Sequence, residues 1–295
     1  MTENNGIMPP KILSDVTAHD IHSRLVDMWL HSLSPNTRKY YRRIADHFVN
    51  YIGKPLHLAT LADVQGWHLT LSGLAPSSQG TYISAIKSLL SFCHEAGLLP
   101  VNVGKAMRQP KSKDTLNQRI LTELEVQTMI ATETNQRNRL ILRLLYSGGL
   151  RVGELCSLKW DDLNCRGEAG QVTVYGKGGK TRTVLIAPNL WAELMALMGT
   201  ASPSDAVFAS PSIDQEGNHL DVSQVFRIVQ AAGKRAGIKG KVSPHWLRHA
   251  HASHSLDRGA PIHLVQQTLG HASVATTSRY LHARPNDSSA LYLPD

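Results

Sequence analysis

Cysteine is scarce. The 295 residues hold three, Cys93, Cys156 and Cys165, an odd number with no Cys-x-x-Cys pair, which suits free thiols in a reducing compartment. Long apolar runs are missing too: none approaches the ~20 residues a membrane-spanning helix needs, so no membrane partner is expected. The opening MTENNGIMPPKILSD has neither the basic nor the apolar region of a signal peptide, which leaves the cytoplasm as the expected location. No internal repeat or low-complexity tract stands out. With 18% charged and 42% apolar or aromatic residues the balance is that of a globular chain, long enough for two domains of ordinary size.

What is present is positive charge. Lys and Arg number 31 against 23 Asp and Glu, a net charge of +8. Residues 1–110 carry 10 of these bases against 7 acids, and residues 111–295 carry 21 against 16. The excess is therefore spread over folded surfaces rather than gathered in a tail, as suits a polyanionic partner.

Caps and periodicity give the organisation. In LSPNTRKYYRRIADHFVNYIG, Ser34 is placed to cap a helix with Pro35 at its first position, and Gly53 to stop it. Tyr40, Ile44, Phe48 and Ile52 form the apolar stripe, and Arg38, Lys39, Arg42 and Arg43 lie opposite. APSSQGTYISAIKSLLSFCHEAG repeats the design, with Ile83, Ile86, Leu89, Leu90 and Cys93 inward and Lys87 outward. The five bases predict a DNA-facing side on a helical domain spanning residues 19–108. A polar stretch with Pro110 predicts a linker over 109–118. Thr122 and Glu125 then form a capping box that opens a second domain, 119–295. In GQVTVYGKGGKTRTVLIAP two alternating stretches flank a glycine-rich turn, a hairpin pattern. Helices resume from Leu190, about Asp221, Pro244 and Pro261, ending near Gly199, Gly233 or Gly237, Gly259 and Gly270. The predicted fold is mainly α, with a small β-sheet in the second domain.

Several stretches carry chemistry. PHWLRHAHASH places four histidines and an arginine on one helix. His245 and His249 have metal-ligand spacing, but Trp246 stands where a metalloprotease helix needs glutamate. Arg248 beside them would repel a divalent cation and welcome an anion. GKGGKT is not a P-loop: Val174 replaces the leading glycine and a strand follows instead of a helix. Its turn is either a plain β-turn with exposed lysines or a hairpin that pushes Lys177 toward a phosphate. In YSGGLRVGELCSL, Arg151 sits at a helix start, where the dipole is already positive and an anion would relieve the conflict. LGHASVATTSRYLH adds His271 and Tyr280. The ensemble is cations and hydrogen-bond donors with one hydroxyl nucleophile, and no carboxylate pair for hydrolysis.

Arg151 in GLRVGEL, Lys177 in GKGGK, His245 and Arg248 in HWLRH, His271 in LGH and Tyr280 in TTSRYLH resemble, in type and order, the tyrosine recombinase (phage integrase) family, and their spacing the XerC/XerD type. SPNTRKYYRRIADHF and SSQGTYISAIKSLLSF resemble its helical core-binding domain, so the resemblance covers most of the chain. Ala250 departs from the small hydroxyl residue frequent in the family. The resemblance implies an N-terminal SAM-like core-binding domain and a C-terminal α+β catalytic domain. It implies a site-specific recombinase in which Tyr280 attacks a DNA phosphodiester, forms a 3′-phosphotyrosyl link and proceeds through a Holliday junction. Arg151 and Arg248 would hold the phosphate, His245 would act as base and Lys177 as general acid. His271 would donate to a nonbridging oxygen and Glu154 would orient the cluster.

Neither metal, ATP nor another cofactor is expected. The implied partners are double-stranded DNA with an inverted-repeat core site and a tetramer on two duplexes, of this chain alone or with a related recombinase, in the cytoplasm at the nucleoid. The residues ahead of the first helix are too few for a separate arm-site domain, and the terminal ALYL is expected to dock on a neighbouring protomer. Two alternatives stay open: a type IB topoisomerase-like enzyme, and a non-catalytic architectural DNA-binding protein.

Overall fold

The computed structural model of the chain describes residues 18–110, 116–176, 179–210 and 219–281. Lys177, at the hairpin turn, and the tail beyond Leu281 with its ALYL segment lie outside these. The chain divides into two compact units, Met1–Lys113 and Asp114–Asp295.

The described residues of the first unit form four α-helices: α1 (Ala18–Leu30), α2 (Pro35–Ile52), α3 (Leu61–Thr70) and α4 (Pro76–Glu95). Proline opens α2 and α4, where its missing N–H costs nothing. A capping box between Thr60 and Asp63 opens α3. Ile44 and Phe48 of α2 and Ile83, Ile86, Leu89, Leu90 and Cys93 of α4 are fully buried, as their spacing predicts. Each large apolar side chain so buried contributes roughly 1.5–3 kcal/mol. Tyr40, expected on the same stripe, is 37% exposed and lies under the Arg43 guanidinium, because the stripe reaches the edge of the core one turn earlier than its spacing implies.

The basic side is mixed in character. Arg38, Lys39 and Arg43 are exposed, whereas Arg42 pairs with Asp27 of α1. Arg38 also donates to the His31 carbonyl at 2.8 Å. Lys87 points less outward than its helix position suggests: it is half-buried, and its Nζ donates to the Met107 carbonyl at 2.9 Å.

The second unit begins with α5 (Glu123–Ala131), opened by the Thr122–Glu125 capping box, then α6 (Gln136–Ser147) and the short α7 (Val152–Cys156). A three-stranded antiparallel sheet follows, β1 (Leu163–Arg166), β2 (Ala169–Tyr175) and β3 (Thr181–Ile186), in the order β1-β2-β3. The β2–β3 hairpin matches the alternating pattern, with Val172 opposite Val184. The strand β1 is an addition. Its LNCR has one buried residue in four, so no alternation betrays it, and it forms by pairing with β2.

Next come α8 (Pro188–Met198), α9 (Val222–Arg235), α10 (Pro244–Asp257), α11 (Ile262–Leu269) and α12 (Val274–Ser278). The first of these starts two residues before Leu190, since Pro188 is itself the favoured first helical residue. Gly233 does not end α9 but lies inside it, where a Cβ would meet Val242 at 2.7 Å. The core joins α5, α6, α8, α9 and α10 to the inner face of the sheet. A smaller apolar cluster holds Leu116, Ile120, Ala252, Val265, Leu269 and Tyr280, so the polar stretch before α5 brings two apolar residues to the tyrosine. Cys93 and Cys156 are buried, their thiols pushed up to about 11 by burial, and Cys165 is exposed; all three are free. No described helix is long and apolar enough to cross a membrane.

Candidate active site

Five of the six residues singled out from the sequence, Arg151, His245, Arg248, His271 and Tyr280, line one cleft of about 260 Å³ in the second unit. Helix α6 ends at Gly148, and Gly149 turns the chain with φ of +58°, a conformation other residues rarely adopt; a Cβ there would also meet His251 and Leu269 at 2.9 Å. The turn delivers Arg151 to the N-terminus of α7 and leaves the Gly149 carbonyl facing α10.

Arg248 is 1% exposed, and its two terminal nitrogens donate to the carbonyls of Gly149 and Leu269. Burial, with Arg151 nearby, pushes this guanidinium down to about 9, so it stays charged at neutral pH. The loop carbonyls thereby fix the orientation of the cation.

Arg151, whose position at a helix start looked electrostatically unfavourable, is held by a carboxylate from its own helix. Glu154 Oε2 accepts its backbone N–H at 2.7 Å and Oε1 accepts Nη1 at 2.8 Å, while Nη2 reaches the Gly270 carbonyl at 3.1 Å. A second guanidinium grips the same carboxylate: Arg182 of β3 donates to both Glu154 oxygens at 2.8 Å, and its Nε donates to the Thr268 carbonyl at 2.7 Å. Burial alone would raise the pKa of Glu154. The hydrogen bonds and charges of Arg182 and Arg151 outweigh it and hold the carboxyl at about 2. Glu154 is therefore a buried, permanently charged anchor between helix, hairpin and loop. Gly270, with φ of +62°, lets Arg182 pass within 3.2 Å of where a Cβ would stand.

The imidazoles sit in this cationic field. His245 is shifted down by burial and by Arg248, Arg151 and Arg119. His271 falls to about 4 by burial and by Arg248, Arg151, His245 and Arg182, and its Nδ1 is 2.9 Å from Thr277 Oγ1. Tyr280 is 5% exposed, its phenol raised by burial, and its ring stacks on His271 at 6.4 Å and 9°. The phenolic oxygen shares a 2.6 Å hydrogen bond with His249 Nδ1. His249 lies one turn after His245, with ring centroids 4.4 Å apart, and burial, His245, Arg119, Arg248 and Arg279 push it to about 3. Among the described residues no three His, Cys, Asp or Glu side chains are arranged to hold a metal ion.

Sequence reasoning missed Arg182, Arg119 and the tyrosine-binding role of His249. Two signals were available. Alternation along TRTVLI puts Arg182 on the face of Val184 and Ile186, an inward place for a cation; and the i,i+4 spacing puts His249 on the face of His245. His251 and His254, for which no role was assigned, both hold Tyr146: His251 Nδ1 bonds its carbonyl at 2.7 Å and His254 Nδ1 its hydroxyl at 2.9 Å.

The sequence model of the phage integrase family matches residues 119–287, the stretch that supplies all five of these residues. The chain belongs to the phage integrase family. Among members of the family, a tyrosine recombinase of Thermosipho africanus is 32% identical over 259 residues, 84% of this chain and 89% of the relative. The XerH site-specific recombinase bound to its difH substrate in a pre-cleavage complex has a TM-score of 0.71 at 21% identity, covering 92% of this chain and 83% of that one. A lambda integrase tetramer bound to a Holliday junction gives 0.68 at 20% identity, covering 88% and 78%. These neighbours share the fold. Of the functions left open by the sequence, membership of this family selects the tyrosine site-specific recombinase over the topoisomerase-like and architectural alternatives.

Proposed function

We propose that the cleft is the strand-exchange site of this recombinase, and that Tyr280 is its nucleophile. The observation that carries the reading is the gathering of three guanidiniums, of Arg151, Arg248 and Arg279, and three imidazoles around one buried phenol. A phosphodiester entering the cleft supplies an anion that these donors are suited to hold. Arg151 and Arg248 would take its nonbridging oxygens, where charge builds as Tyr280 attacks in line. Both guanidiniums are already oriented by carbonyls and by Glu154, so little reorganisation is needed at the moment of reaction. His271, neutral and engaged at Nδ1 with Thr277, is suited to present Nε2–H to the same phosphate. His245 provides a second imidazole at the rim.

Attack by the phenol yields a 3′-phosphotyrosyl link and releases a 5′ oxygen, for which Lys177 is the general acid by family resemblance. The bond energy is kept in the covalent link, so neither ATP nor a metal is called on. A 5′-hydroxyl from a partner strand reverses the step and gives a Holliday junction. The substrate is double-stranded DNA with an inverted-repeat core site at the nucleoid, and Arg38, Lys39, Arg42, Arg43 and Lys87 of the first unit supply backbone contacts. The assembly is four protomers on two duplexes, of this chain alone or paired with a related recombinase.

The test is a Tyr280→Phe variant on a nicked suicide duplex. It is expected to bind site DNA like the unmodified protein and to form no covalent complex. An adduct that persists removes Tyr280 from the mechanism.

A further inference from the structure

We infer that His249 is a catalytic residue of this recombinase: its Nδ1 receives the Tyr280 phenolic proton in strand cleavage and returns it in religation. The inference rests on Tyr280 being the nucleophile. It reassigns the proton transfer that family resemblance gave to His245.

The geometry argues for it directly. The hydroxyl that must lose its proton is 2.6 Å from His249 Nδ1, within the reach a general base needs. With the ring proton on Nε2, the phenol donates and Nδ1 accepts. His249 is held in place, since it is 9% exposed on α10 with its ring against those of both His245 and Tyr280. His245, one turn earlier, lines the same cleft, but its ring contact is with His249, and it is His249 that bonds the phenol.

The step balances. As Tyr280 Oη bonds to phosphorus, its proton moves to His249 Nδ1; the P–O5′ bond breaks and the leaving oxygen takes a proton from the general acid. In religation a 5′-hydroxyl attacks and returns its proton to the deprotonated general acid, the P–Oη bond breaks, and the phenol regains its proton from His249.

The surroundings make this transfer dependent on DNA. The charged and titratable groups that face His249 are His245 and Arg248 on its own helix, Arg119 from the segment before α5, and Arg279 and Tyr280 after α12. With burial, these cations keep the ring neutral, and burial keeps the phenol protonated. The resting pair is therefore an unreactive phenol against a neutral imidazole. A phosphodiester among those cations offsets part of their field, and the extra negative charge of the transition state offsets more of it. An imidazolium at His249 becomes favourable only when a scissile phosphate is present, which spares the free protein a reactive phenoxide.

The experiment uses the full chain and a nicked suicide duplex. In His249→Asn the amide occupies the place of Nδ1, able to hydrogen-bond the phenol but unable to carry its proton. The expected result is duplex affinity like that of the unmodified protein, with covalent adduct formed about 10²–10⁴-fold more slowly. The loss is expected to shrink at least about tenfold when residue 280 is 3,5-difluorotyrosine, because a more acidic phenol depends less on a base. A rate within about tenfold of the unmodified protein, or a loss indifferent to the acidity of the phenol, overturns the inference. A second measurement needs no substitution: the ¹⁵N resonances of His249 are expected to report a neutral ring in the free protein and a doubly protonated ring in the trapped adduct. A neutral ring in both states overturns it as well. Adduct formation by Tyr280→Phe would instead refute the nucleophile assignment, so the two failures are distinguishable.

Discussion

Replacing Glu154 by Gln probes the anchor under the cleft. Glu154 is 8% exposed and accepts hydrogen bonds from Arg151 and from both terminal nitrogens of Arg182. Its carboxyl titrates at about 2 in the folded chain against an ordinary 4.5. A folded value below the unfolded one means stability present above the unfolded value and lost as pH falls through the folded one. The difference corresponds to about 3 kcal/mol near pH 7, shrinking to roughly half of that at pH 3. Breaking a buried ion pair from one side costs about 3–5 kcal/mol, which agrees.

The assay is urea unfolding followed by ¹⁹F resonances of 5-fluorotryptophan. Trp160, Trp191 and Trp246 report the second unit and Trp29 and Trp67 the first, so the two are read separately. Glu154→Gln is expected to lower the second unit's stability by about 3 kcal/mol at pH 7 and to leave the first unchanged, with the gap narrowing toward pH 3. A loss under about 1 kcal/mol at pH 7, or a gap constant with pH, would refute the idea that the two arginines hold Glu154 ionised.

Two further outcomes follow from the same structure. Gly149→Ala places a methyl group against His251 and Leu269 in a left-handed turn, and is expected to cost more than about 1 kcal/mol in urea unfolding and to slow adduct formation, since the Gly149 carbonyl orients Arg248. Duplex binding should weaken linearly on a log–log salt plot, and Lys39→Ala, at an exposed position of α2, should lower the slope by about one; a flat plot or an unchanged slope would take that face out of the DNA contact.

The elements were legible where local chemistry decides them. Proline and capping-box starts and the apolar stripes of α2 and α4 are written in adjacent residues, and the buried sets agree except at the two ends of the α2 stripe, where Tyr40 is exposed and Ile52 only half-buried. Lys87 looked outward by its helix position, but a carbonyl twenty residues on draws its ammonium in. Strand β1 was not legible, because one buried residue in four gives no alternation and only pairing with β2 makes it a strand.

The sequence by itself determined the chemical inventory of this recombinase: an excess of cations, imidazoles at fixed helical spacing, a single candidate phenol, and motifs ordered from Arg151 to Tyr280. The tertiary structure alone decided which of these touch. Arg248 is fixed by carbonyls of Gly149 and Leu269, and a carbonyl is the same at every residue, so no side-chain pattern announces it. Glu154 meets Arg182 across 28 positions and His249 meets Tyr280 across 31, distances that only the packing of helix, hairpin and loop can close. Burial then sets the protonation of each imidazole and of the phenol, because the cost of charge depends on the water and the cations that the fold leaves around it.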